Sequence, residues 1–132
     1  MNVRQLQPGE ATTIWVVGDT TWNVLQGWIR QGGEDVKELR RRVLRVANQG
    51  TRPGGHYNPQ HIHDTGAGGV RAIKLRKSGI RLPYVERGRD IYIIHALKKK
   101  KRPDYTRADQ DVIARRHVEF QANRGRLVVV DL

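Results

Sequence analysis

The chain has 132 residues, a length that predicts one domain over 1–132 with one modest core. It carries 25 Lys and Arg against 13 Asp and Glu, a formal charge of +12, and no cysteine, which excludes disulfides, thiolate metal sites and a cysteine nucleophile. No apolar run approaches the roughly 18–20 residues that span a bilayer, and no signal-peptide pattern opens the chain, so the expectation is a cytoplasmic protein with no membrane contact.

Residues 1–11 are polar, contain Pro8-Gly9 and read as a flexible arm. Thr12–Val17 is rich in β-branched residues and predicts a strand. Gly18-Asp19-Thr20-Thr21 breaks it and leads into a helix over Trp22–Gln31. A second helix follows from Glu34 to Gly50, with Val36, Leu39, Val43, Val46 and Ala47 at helical spacing. Residues 50–69, dense in Gly, Pro, Asn and His, read as a long loop. Val70–Lys77, Ile80–Val85 and Asp90–Leu97 read as strands in two short-turned hairpins. Thr106 and Asp109 stand at capping-box spacing for a third helix to about Asn123, and 124–132 could add a last strand. The order β-α-α-β-β-β-α predicts an α+β fold. The N-terminal helix pair packs on one face of a mainly antiparallel sheet, and a C-terminal helix follows.

The charge is concentrated. From Arg71 to Arg102 there are twelve basic and two acidic residues, a net +10 in 32 residues. Such a segment attracts a polyanion, and nucleic acid is the leading partner. A two-residue turn at Ser78-Gly79 sets Leu75 opposite Leu82 and Ile73 opposite Tyr84, under the helices. The same register opposes Arg76 and Arg81 on the other face with Lys74 nearby, and that face is expected to be open to solvent. Two arginines directly opposed are unfavourable until an anion lies between them. His61-x-His63-Asp64 lacks a second ligand cluster, so no metal is expected there, and His56, His61 and His63 read as loop residues. One of them could line an RNA groove or act as an acid–base group near neutral pH. His95 is expected on the face under the helix pair.

At this point the sequence resembles the RelE/HigB toxin superfamily. The resemblance is carried by Ala72-Ile73-Lys74-Leu75-Arg76-Lys77-Ser78-Gly79-Ile80-Arg81-Leu82-Pro83-Tyr84, by Ile91–Leu97 running into Lys98-Lys99, and by Asp111–Arg116 (DVIARR). It covers about residues 12–122. It implies a RelE-like fold related to microbial RNases and the toxin half of a bacterial or phage toxin–antitoxin module. It further implies an endoribonuclease (mRNA interferase) that enters the ribosomal A site and cleaves mRNA there. The RNA's own 2′-hydroxyl would attack, leaving a cyclic phosphate, with no metal or cofactor. The partners implied are mRNA, the ribosome and a cognate antitoxin, expected as a helix-turn-helix protein from an adjacent gene.

Carried over by position, the catalytic residues are Lys74, Arg81, Lys99 and Tyr105. RNA-binding roles fall to Arg71, Arg76, Lys77, Lys98, Lys100, Lys101 and Arg102. Ala72 stands where some members have a second basic residue, so the general base is open. Lys74, crowded by cations, could lose its proton readily enough to serve. Two other classes stay in view: a non-catalytic nucleic-acid-binding phage-type protein on this fold, and a ParE-like topoisomerase poison. Lys74, Arg81, Lys99 and Tyr105 together favour the nuclease.

Overall fold

A computed structural model of the chain describes residues 1–51, 61–99 and 105–131. Among these the α+β class holds, with three helices and a mainly antiparallel eight-stranded sheet. The elements run β1 (Asn2–Gln7), β2 (Thr13–Val17), α1 (Asp19–Gln31), α2 (Glu34–Gln49), β3 (Ile62–Asp64), β4 (Arg71–Lys74), β5 (Ile80–Arg87), β6 (Asp90–Ile93), β7 (Leu97–Lys98), α3 (Arg107–Ala122) and β8 (Val128–Val129). The sheet order is β3-β4-β5-β6-β2-β1-β8, with β7 pairing with β5. Two pairs are parallel, β2 with β6 and β1 with β8.

Alternation along the strands divides the core in two. Ile14 and Val16 of β2, Ile73 of β4, Leu82 and Tyr84 of β5 and Ile91 and Ile93 of β6 pack with Leu25 of α1 and Leu39, Val43 and Val46 of α2. Trp15, Val17, Val85, Tyr92 and Ile94 point the other way and pack with Ile113 and Phe120 of α3. The sheet is therefore covered on both faces: the face expected to be open lies beneath α3.

The expected arm at 1–11 is instead β1, antiparallel to β2. Val3 is 2% exposed and Leu6 packs on the helix-pair side. A bulge between Gln5 and Gln7 interrupts the period of two, which removes the sequence signal. Gly9 then passes so close to α2 that a Cβ would fall 2.3 Å from the Ala47 carbonyl carbon.

The β4–β5 connection also differs from expectation. Ile73 pairs with Leu82 and Lys74 with Arg81, a slip of two residues from the two-residue turn. The Glu38 carboxylate of α2 accepts from the backbone N–H groups of Lys77 and Ser78, both at 2.9 Å, and Gly79 N–H donates to Leu75 O at 3.0 Å. The helix thus holds a wider turn open. A slip of two keeps every side chain on its own face, so Ile73, Leu75, Leu82 and Tyr84 lie under the helix pair as expected. The β5–β6 turn is the two residues Gly88-Arg89, between paired Arg87 and Asp90.

Beyond Ile93 the strand ends, and His95 lies near Asp109, Arg115 and Arg116 of α3, not under the helix pair. β3 arises within the stretch read as loop, and β8 supplies the last strand that 124–132 suggested. No helix among the described residues is long and apolar enough to cross a membrane.

Candidate active site

Arg81 is the centre of the constellation. On β5 it stands between Lys74 of β4 and Leu97 of β7, on the face that α3 covers. The sequence placed it in solvent; it is 3% exposed. Its Nη1 donates to Leu75 O and Ile80 O, each at a long 3.4 Å. Its Nε has no hydrogen-bond partner among the described residues. Burial pushes the guanidinium pKa down, against the opposing pull of Tyr105 and Glu38. Among the described residues its hydrogen bonds are these two long ones, so its charge is not neutralised by a carboxylate bonded to it.

His63 on β3 faces Ala72 across the ladder. Its Nε2 lies 3.1 Å from the Tyr105 hydroxyl, and the two rings are 5.5 Å apart at 49°. Burial lowers the His63 pKa first, and the charges of Lys74 and Arg81 lower it further, with Asp64 opposing. Burial pushes the Tyr105 pKa well up, with Asp109 adding and Arg81 opposing. At neutral pH the imidazole is therefore neutral and the phenol protonated. With Nε2–H donating to the Tyr105 oxygen, the neutral imidazole keeps its Nδ1 lone pair to accept a proton. His63 and Lys74 are each partly exposed, so a ligand can reach them from solvent.

Tyr105 is held by the start of α3. Thr106 caps the helix and Asp109 closes the capping box, as its spacing predicts. Lys99 Nζ pairs with Asp109 Oδ2 at 2.5 Å. Burial raises the Asp109 pKa, but the bonds from Lys99 and Thr106 outweigh it and leave the carboxyl below its ordinary range. Lys99 is thus committed to an ion pair that anchors the helix beside Tyr105.

The other expected RNA contacts do not form one face. Lys98 pairs with Asp35 at 3.3 Å and lies 5.1 Å from the Trp28 ring centroid, on the helix-pair side. Arg76 and Lys77 are exposed on the β4–β5 turn beside α2. Arg71, exposed at the start of β4, borders a cavity of about 250 Å³ with Glu86 and His117. Lys100, Lys101, Arg102 and His56 lie outside the described residues. A larger cavity of about 310 Å³, between Thr12, Thr51, Glu86 and Ile91, has one carboxylate and no cationic side chain among the described residues that line it.

Of the four expected catalytic residues, Lys74, Arg81 and Tyr105 converge, whereas Lys99 stands beside them through Asp109. His63 is the addition. Its signal was the alternation His61-Ile62-His63 within a turn-rich stretch, where Ile62 is 1% exposed. The two histidines part company: His63 meets Tyr105, and His61 borders α2. Among the described residues no group of three or more His, Cys, Asp or Glu could hold a metal. No protein-family model, no curated protein and no solved structure matches the chain.

Proposed function

We propose that the protein is an endoribonuclease of the toxin–antitoxin kind, acting in the cytoplasm on mRNA at the ribosome. The meeting of the His63–Tyr105 pair with Lys74 and Arg81 carries this reading. His63 takes the proton of an RNA 2′-hydroxyl at Nδ1, while its Nε2–H donates to the Tyr105 oxygen, which orients the ring. The 2′-oxygen attacks the adjacent phosphorus, and the bond from phosphorus to the 5′-oxygen breaks. The leaving 5′-oxygen takes a proton from the Lys74 ammonium, giving a 2′,3′-cyclic phosphate and a free 5′-hydroxyl. Arg81 supplies fixed positive charge as the phosphorane gathers negative charge. The chain's own groups thus provide base, acid and charge without a metal. The net +12 draws RNA to the surface and suits an acidic antitoxin segment as its mask.

The test is cleavage of mRNA on programmed ribosomes by the parent and by His63→Gln. Loss of a general base predicts a rate lower by about a hundred- to ten-thousandfold. Equal rates would remove His63 from the chemistry, and an inert parent would remove the nuclease.

A further inference from the structure

His63 and Tyr105 come from different elements. His63 lies on β3, which among the described residues pairs with β4 alone, and Tyr105 lies just before the cap of α3. Gln110 bridges the two. Its Nε2 donates to the Thr65 carbonyl oxygen at 3.1 Å. Gln110 is one helical turn beyond Thr106, and Thr65 is two residues beyond His63. The bond therefore joins the strand that carries the imidazole to the helix that carries the phenol.

Both ends of this bridge are firm. Thr65 is 2% exposed, and the β3–β4 turn is bonded to itself. Asp64 Oδ1 accepts from Gly66 N–H at 2.7 Å, and Thr65 Oγ1 donates to Val70 O at 2.7 Å while accepting from Ala67 N–H at 3.2 Å. On the helix, Gln110 N–H donates to Thr106 O at 3.0 Å. The approach is close enough to need a glycine: a Cβ at Gly66 would fall 2.4 Å from Gln110 Nε2, and its φ is +79°.

We infer that Gln110 is a positioning residue for the His63–Tyr105 pair, holding β3 at the distance from α3 at which imidazole and phenol meet. Ala67 and Val70 also pack with Ile113, but apolar contact alone allows sliding. A hydrogen bond from a half-buried amide to the carbonyl of a buried residue fixes distance and direction. A displacement of about 1 Å at reacting groups can cost about a hundredfold in rate. The bridge itself is independent of the proposed function, which is needed only for calling the pair reactive.

Gln110→Met keeps the length of the side chain and removes the donor. Gly9→Ala, which strains the chain against α2, is the control for general loosening. The first readout is the titration of the His63 imidazole by NMR, its signal assigned among the five histidines with His63→Gln. In the parent, burial and then Lys74 and Arg81 hold this pKa down, with Asp64 opposing. In Gln110→Met water reaches the ring, and the pKa should rise toward the ordinary histidine value. Gly9→Ala should titrate as the parent does. The second readout is cleavage on programmed ribosomes. It should slow about ten- to a hundredfold in Gln110→Met, with the rising limb of the pH profile moved to higher pH. An unchanged His63 titration in Gln110→Met would overturn the assignment, and so would an equal rise in Gly9→Ala. An inert parent whose His63 responds to Gln110→Met as expected would remove the nuclease and leave the bridge standing. An active parent with no such response would do the reverse.

Discussion

Arg81 is a buried cation, and its two roles can be separated by side-chain shape. Truncation to Ala empties buried volume, so Arg81→Ala should lose about 1–3 kcal/mol of stability along with activity. Arg81→Met fills the space without charge. Replacing a buried charge by an apolar residue of similar size is often neutral or stabilising. Arg81→Met should therefore melt at or above the parent's temperature and yet cleave mRNA about a hundred- to a thousandfold more slowly. A thermal melt beside the cleavage assay checks both halves. His63 gives a second prediction. Its lowered pKa keeps it a base below the ordinary histidine range, so the cleavage rate should rise with pH only below about 6.5 and then level off. A pH–rate profile whose rising limb lies well above that value would assign the base to a lysine.

At the scale of elements, the junctions that define the site are small. Thr106 caps α3 with its side chain accepting from Asp109 N–H, and Asp109 returns the bond to Thr106 N–H. Thr106→Ala should cost about 1 kcal/mol and loosen Tyr105, measured as a lower melting temperature together with slower cleavage. Gly9→Ala should cost roughly 1–3 kcal/mol without touching the chemistry, because its new Cβ would overlap the Ala47 backbone. The helices were legible from sequence because α2 repeats Val36, Leu39, Val43 and Val46 at helical spacing and Thr106 and Asp109 announce α3. The two-sided sheet was not. Lys74 and Arg81 alternate with apolar neighbours, which in a one-sided sheet means exposure to water. The face that carries them is covered by α3, through packing of Ile113 and Phe120 with Val17, Val85 and Ile94, and no local pattern encodes that return. The hairpin register failed for a related reason, since Glu38, some forty residues away, sets the turn. Faces survived the error only because the slip was even.

For the whole molecule, acid should be destabilising in two stages. His61, His63 and His95 all have pKa values lowered on folding, chiefly by burial. The unfolded chain then binds their protons first, so stability is full above about pH 6.5 and falls as pH drops below it. Glu38 and Asp109 are lowered as well, although burial opposes this in both, by bonds from the Lys77 and Ser78 amides and from Lys99 and Thr106. Their contribution is present above the unfolded carboxylate range and is lost as pH falls through their folded values. Melting temperature should therefore decline below pH 6.5 and more steeply below about pH 4.5; a melting temperature constant from pH 7 to 4 would contradict this. The claim on which the rest depends is attack by the RNA's own hydroxyl. It is tested most directly with ribosome-bound mRNA carrying a single 2′-deoxy nucleotide at the mapped cleavage position. The account predicts cleavage of the all-ribose message to a cyclic phosphate and a 5′-hydroxyl, and none at the deoxy position. Cleavage of the deoxy message at that bond would contradict it.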